Sequence, residues 1–280
     1  MNKTAIALGT FDGVHTGHRA VIEAAVNSGF KPIAVAFKFP PKTYFDDTMG
    51  CISTFADKDK ALRSLALNEI HYLDFPAVRD MSANEFLQHL KEKYNCAFLS
   101  CGFNYRFGKN GAGDIKLLRE FCERNDIILK VLEPIVIDDI TVSSTYIREL
   151  LSSGQIPLAN KLLKMPFGFS AAVIHGDARG RTIGFPTANQ IYPKELVDIM
   201  HGVYKSIITV NGKTYNGITN IGNRPTYETK TVGAETYILD FYDDIYGTVA
   251  DIRITEFIRP ERKFGSEEEL KNAIKNDLSK

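Results

Sequence analysis

Thr4-Ala-Ile-Ala-Leu-Gly-Thr-Phe-Asp-Gly-Val-His-Thr-Gly-His18 is the stretch from which the first half of the chain is organised. The apolar run Ala5–Leu8 reads as a buried strand. Gly9 ends it, Asp12-Gly13 turns the chain, and His15 and His18 open an amphipathic helix to about Asn27. A strand, a glycine-bearing loop and a helix start make an anion site, because the first N–H groups of a helix lack intrahelical partners and the dipole favours negative charge. Two histidines there donate N–H bonds to phosphate, each as a neutral imidazole, since the positive helix end disfavours further positive charge. The competing readings are half a zinc site and ordinary capping. The zinc reading lacks a third ligand, because His71, His89, His175 and His201 are scattered.

Outward from this stretch, apolar runs alternate with helical patterns. Pro32–Phe39, Ile70–Phe75, Ala97–Cys101 and Ile127–Ile137 read as strands. Thr54–Asp57 and Ser82–Glu85 have capping-box form and start helices to about Asn68 and Tyr94, and Asp114–Asn125 is a further helix. That alternation predicts a mainly parallel sheet with helices on both faces and ligands beyond the carboxyl ends of the strands. Gly9–His18 and Gly102–Asp114 both fall at such ends. Ser144–Ser153 and Leu158–Lys164 look helical. After Pro166 and Gly168, strand patterns take over at 169–174, 202–210, 214–221, 234–241 and 249–257, and Ser266–Glu269 caps a last helix to about Leu278. The second half is therefore expected to be a small barrel or sandwich with a covering helix, the boundary lying at about 160–166.

The chain has 280 residues, 44% hydrophobic and 24% charged, with 34 Lys plus Arg against 34 Asp plus Glu. This balance supplies no basic field for nucleic acid. No apolar run approaches a membrane span and the N-terminus has no signal-peptide pattern, so a cytoplasmic protein is expected. Cys51, Cys96, Cys101 and Cys122 form no CxxC pair, and reduced thiols are the default in that compartment.

Four further stretches carry chemistry. In Val142–Arg148, Ser144 or Thr145 is placed to cap a helix whose first turn holds Arg148. An anion would relieve the cation–dipole conflict, although a surface arginine paired with a carboxylate fits as well. Gly102–Gly108, with Asn104 and Arg106, would suit a flat aromatic ligand or be a packed loop. In His175–Asn189, Gly176, Gly180 and Gly184 allow close backbone approach. Thr187 and Asn189, two apart, share a face and offer two neutral hard oxygens suited to Mg²⁺ held jointly with phosphates. The plain alternative is a polar hairpin. Glu235 alternates with Tyr237, Leu239 and Phe241, which points it inward as a general base, unless it is an edge glutamate paired with a lysine.

Together these pieces resemble the prokaryotic bifunctional riboflavin kinase/FMN adenylyltransferase (FAD synthetase) family. The resemblance covers nearly the whole chain and is carried by Gly9–His18, Ser143–Arg148, Gly180–Asn189, Asn220–Thr226 and Phe257–Phe264. It implies a Rossmann-like α/β nucleotidyltransferase domain (1–160) followed by a six-stranded β-barrel kinase domain (165–280) with a C-terminal helix. It implies that ATP phosphorylates riboflavin to FMN in the barrel. There Thr187 and Asn189 hold Mg²⁺, Glu235 is the base, Gly176, Gly180, Arg181 and Gly184 meet ATP, and Phe185 meets flavin. It implies that FMN and a second ATP give FAD and pyrophosphate in the first domain. Gly9, Phe11, His15, His18, Ser144, Thr145 and Arg148 would hold ATP there, His15, His18 and Arg148 with catalytic roles, while Asn104 and Arg106 lie near flavin. No nucleic acid, membrane or obligate protein partner is implied. The chain departs from the family pattern at Pro40-Pro41, where a histidine often separates two prolines, at Asn104, where Asp is frequent, and at Tyr237, where His is frequent. The alternatives are a monofunctional adenylyltransferase with a flavin-binding barrel, a flavin sensor, and another HxGH transferase.

Overall fold

The computed structural model describes residues 3–46, 48–176, 180, 183–225 and 230–279. The chain divides into two compact units, residues 1–51 with 55–144, and residues 52–54 with 145–280.

The first unit is a five-stranded parallel sheet of β1 (Thr4–Leu8), β2 (Lys31–Phe37), β3 (Glu69–Leu73), β4 (Cys96–Gly102) and β5 (Ile128–Leu132), in the order β3-β2-β1-β4-β5. Its helices are α1 (Thr16–Val26), α2 (Phe55–Arg63), α3 (Phe75–Val78), α4 (Ala83–Tyr94) and α5 (Ile115–Arg124). The strand alternation sorts side chains by size. Ala5, Ala7, Ala34 and Ala36 face one side, where α1 packs with Val21, Ile22 and Ala25 and α2 packs with Leu62. Ile6, Leu8, Ile33 and Val35 face the other, against Phe86, Leu87 and Leu90 of α4 and Leu118 and Cys122 of α5. Small residues on one face let α1 approach the sheet closely, and the branched residues fill the opposite layer.

Ser82 caps α4 with the expected reciprocal box: its Oγ accepts from Glu85 N–H, and Glu85 accepts from Ser82 N–H. Two expectations shift. The segment 127–137 is not one strand, because β5 stops before Glu133-Pro134, and Val136–Ile137 (β6) pairs instead with Ile140–Thr141 (β7) across Asp138-Asp139, both at positive φ. The helix after Thr54 ends at Arg63 rather than Asn68. All four cysteines are free and buried, and burial pushes the thiols of Cys96 and Cys101 up to about 12 and that of Cys122 to about 11.

The second unit holds α6 (Ser144–Ser152) from its second residue onward, and α7 (Ile156–Leu163). It continues as six antiparallel strands: β8 (Gly168–Ala172), β9 (Thr187–Ile191), β10 (Gly202–Val210), β11 (Lys213–Pro225), β12 (Lys230–Ile238) and β13 (Val249–Pro260). The order is β8-β13-β10-β11-β12-β9, and Ile174 N–H donating to Asn189 O at 2.8 Å nearly closes the ring. β9 falls outside the five expected strand segments, in the stretch whose Thr187 and Asn189 are expected to share one face of an extended chain. Inside the barrel a hydroxyl ladder joins Thr219 to Ser206 (2.7 Å) and to Thr236 (2.8 Å), all three buried. The last helix, α8 (Glu267–Leu278), is capped by Ser266 and anchored by Arg259, whose guanidinium donates to the buried carboxylate of Asp277 at 2.8–3.0 Å.

Candidate active sites

The parallel strands β1, β2 and β4 end together, at Leu8, Phe37 and Gly102, and the strand order reverses between β1 and β4. The loop leaving β1 is conformationally unusual. Phe11 (φ 51°), Gly13 (φ 74°) and Val14 (φ 41°) all occupy the left-handed region. A β-branched residue there is a genuine outlier, and such strain concentrates at ligand-binding turns. The turn delivers His15 to the N-cap of α1, where its Nδ1 accepts from His18 N–H at 3.4 Å. A neutral imidazole whose Nδ1 accepts carries its proton on Nε2. The His15 and His18 rings stack with centroids 3.6 Å apart, and Phe11 meets His18 edge-on at 5.4 Å. Gly17 leaves room beside the stack, since a Cβ there would lie 3.2 Å from Cε1 of His15.

The Phe11 ring is fully buried, packed against Gly9. Asn104 and Arg106 lie exposed beyond β4, and Arg106 is 3.9 Å from Asp114, the cap of α5. The helix α6 starts at Ser144, so Ser144 and Thr145 are its first two residues, the capping position falls at Ser143, and Arg148 stands just past the first turn.

In the barrel, Thr187 and Asn189 share a face as expected: Asn189 Nδ2 is 3.4 Å from Thr187 Oγ1. The register places Glu235 of β12 opposite Asn189, and Tyr237 opposite Thr187. Glu235 is exposed, not inward; the interior is taken by Ala234, Thr236 and Ile238. Gly176 lies over Asn189, a Cβ on it coming within 2.5 Å of the amide. Gly180 accepts from Phe185 N–H at 2.8 Å, Gly184 (φ 87°) turns the chain, and the Phe185 ring meets Tyr237 edge-on at 5.3 Å. Arg181 lies outside the described residues.

Two features escaped the sequence reading. Tyr44 and Phe45, exposed beyond β2, gather around Phe75 with ring centroids 4.9 and 5.8 Å from it. The signal was present as aromatics flanking Pro40-Pro41. The other is Lys58, a fully buried lysine at the same strand ends.

The FAD synthetase family matches residues 1–146, and the riboflavin kinase family matches residues 163–280. The bifunctional riboflavin kinase/FMN adenylyltransferase of Bacillus subtilis (strain 168) is 33% identical over 98% of this chain and 90% of its own length. This chain belongs to the bifunctional riboflavin kinase/FMN adenylyltransferase family. The Haemophilus influenzae protein of the same name is 32% identical over 98% of this chain and 92% of its own. A crystal structure from Streptococcus pneumoniae, titled as a macrolide-efflux protein, matches with a TM-score of 0.89 at 28% identity, covering 99% of this chain and 93% of that one. Among the described residues of the present chain, no helix is long and apolar enough to cross a membrane.

Proposed function

We propose that this family member makes FMN in the barrel, within residues 165–280, and FAD in the parallel-sheet domain, residues 1–160. The observation that carries the two-step reading is the pairing of Glu235 with Asn189 across β12 and β9, beside Thr187. A barrel that only bound flavin would have no use for a carboxylate next to two hard oxygens, which opposes the monofunctional alternative.

In the kinase step, Glu235 takes the proton of the riboflavin 5′-hydroxyl as that oxygen attacks the γ-phosphorus of ATP and ADP leaves. Thr187 Oγ1 and the Asn189 side-chain oxygen suit Mg²⁺, which binds through few protein oxygens and completes its shell with water and phosphate. That ion would supply charge neutralisation on the phosphates. Gly176, Gly180, Arg181 and Gly184 line the nucleotide, and Phe185 the flavin.

In the adenylyl step a phosphate oxygen of FMN attacks the α-phosphorus of a second ATP in line, and pyrophosphate leaves. The nucleophile is already anionic, so no protein base is needed; positioning and charge stabilisation remain. Gly9, the Phe11 backbone, His15 and His18 hold the phosphates, and Ser144, Thr145 and Arg148 serve the same reaction. Asn104 and Arg106, together with the aromatic wall of Tyr44, Phe45 and Phe75, receive the isoalloxazine. A cytoplasmic location, where ATP is supplied, goes with this reading.

The test is to incubate purified protein with riboflavin, ATP and Mg²⁺ and resolve the flavins by chromatography. Both FMN and FAD are expected. FMN alone, or failure to convert added FMN, rules out the second activity.

A further inference from the structure

Lys58 is 2% exposed. From α2 its ammonium donates to Phe37 O at 2.6 Å and Lys38 O at 2.7 Å, at the end of β2, and reaches Thr10 O at 3.4 Å, in the loop leaving β1. An ammonium has three donors and no acceptor capacity, so these three carbonyls use it completely. Packing alone does not explain it, because an apolar side chain would fill the same space without the cost of desolvating a charge. The carbonyls belong to the two loops that flank the candidate ATP site.

We propose that Lys58 is a positioning residue for adenylyl transfer, fastening the β1 and β2 loops and polarising their peptides toward the nucleotide. This rests on the reading that the Gly9–His18 loop holds ATP. The Thr10 carbonyl and the Phe11 N–H belong to one peptide unit, as do the Lys38 carbonyl and the Phe39 N–H. A cation on a carbonyl draws electron density from its peptide and strengthens the attached N–H as a donor. The lysine charge thereby reaches the phosphates without touching them, and its effect grows as charge develops on departing pyrophosphate.

The charge is held in a fine balance. Burial drives the amine down to about 8, against the opposing pull of Asp12 from the turn before α1 and Cys51 from the segment before α2. Once neutral, the amine keeps two N–H donors, and one of the three carbonyls loses its bond. In this folded state the lysine is protonated at neutral pH and loses its proton as pH rises through about 8, whereas unfolded it would do so near 10.5.

The test uses full-length Lys58→Met, Lys58→Arg and His18→Ala, with the riboflavin-to-FMN step of the same chain as internal control. Lys58→Met should lower kcat for FMN adenylylation about 10- to 100-fold, the range expected for losing charge-assisted hydrogen bonds, with KM for ATP changed far less and FMN formation intact. Wild-type FAD formation should fall with an apparent pKa of about 8, and Lys58→Arg, which stays charged, should lack that limb. Should either variant fail to fold, the wild-type profile decides: a limb near that pH in FAD formation and none in FMN formation supports the proposal, and its absence overturns it. Full adenylylation by folded Lys58→Met alongside a crippled His18→Ala overturns the role of Lys58 alone. Full adenylylation by His18→Ala overturns the reading of the site beneath it.

Discussion

The two regions proposed to handle phosphate differ in kind. The β1–α1 turn brings together a helix N-terminus, two stacked histidine rings and a backbone bent through three positive φ angles. The β9–β12 face of the barrel is built of oxygens: Thr187, Asn189 and the exposed Glu235. The difference follows the nucleophile. An FMN phosphate arrives deprotonated and needs only neutralisation of the leaving charge, whereas a riboflavin hydroxyl must lose a proton. A parallel sheet and a helix start naturally present N–H groups; an antiparallel barrel wall presents alternating side chains, among which a carboxylate is easily aimed outward.

If that division is right, single substitutions separate the activities. Glu235→Gln keeps the shape and removes the base, so FMN formation should fall about 10²- to 10⁴-fold while added FMN is still converted to FAD. Loss of both steps in a folded protein breaks the two-site comparison. His18→Ala should do the reverse, costing adenylylation about 10²- to 10³-fold with the kinase step unchanged. Steady-state rates for each half-reaction, measured on the same preparation, check both.

Gly176→Ala probes the barrel side more gently. The added methyl would stand 2.5 Å from the Asn189 amide, inside any allowed contact, so Asn189 must move. A misplacement of that size should cost the kinase step roughly 10- to 100-fold and raise the Mg²⁺ concentration it needs, while FAD formation from FMN is untouched. A Mg²⁺ titration of FMN formation reads this out.

How legible each region was depends on whether its logic is local. The alternation of apolar runs with helical patterns runs through the whole first half, and so the parallel sheet was readable; the strand, turn and helix start of the proposed anion site lie within one window. Thr187 and Asn189 were readable as a same-face pair for the same reason. The side on which Glu235 lies was not. The aromatic face inferred for it drew on Leu239 and Phe241, but β12 ends at Ile238 and Asp240 turns the chain at φ 54°. Moreover, the barrel interior is occupied there by Thr236 bonded to Thr219, a partner on the neighbouring strand that no local pattern names. Lys58 escaped for a related reason: a lysine on an amphipathic helix looks solvent-facing until the tertiary fold buries it.

Gly17→Ala is the smallest change and the one that best weighs pre-organisation against stability. Gly17 is helical, with no positive φ to forbid a side chain, and alanine in a helix is favoured over glycine by about 0.5–1 kcal/mol. Thermal unfolding should therefore shift upward, by about 2 °C for a gain of that size. Yet the new Cβ would sit 3.2–3.3 Å from the His15 ring, close enough to push it a few tenths of an ångström off its stack with His18. FAD formation should fall only about two- to fivefold, since a small displacement loses part of a donor interaction and not the whole of it. A more stable protein that is slower in adenylylation alone means the histidine stack is held for chemistry; a more stable protein of unchanged rate means the stack is packing, and the donor set of the first region reduces to His18 and the backbone.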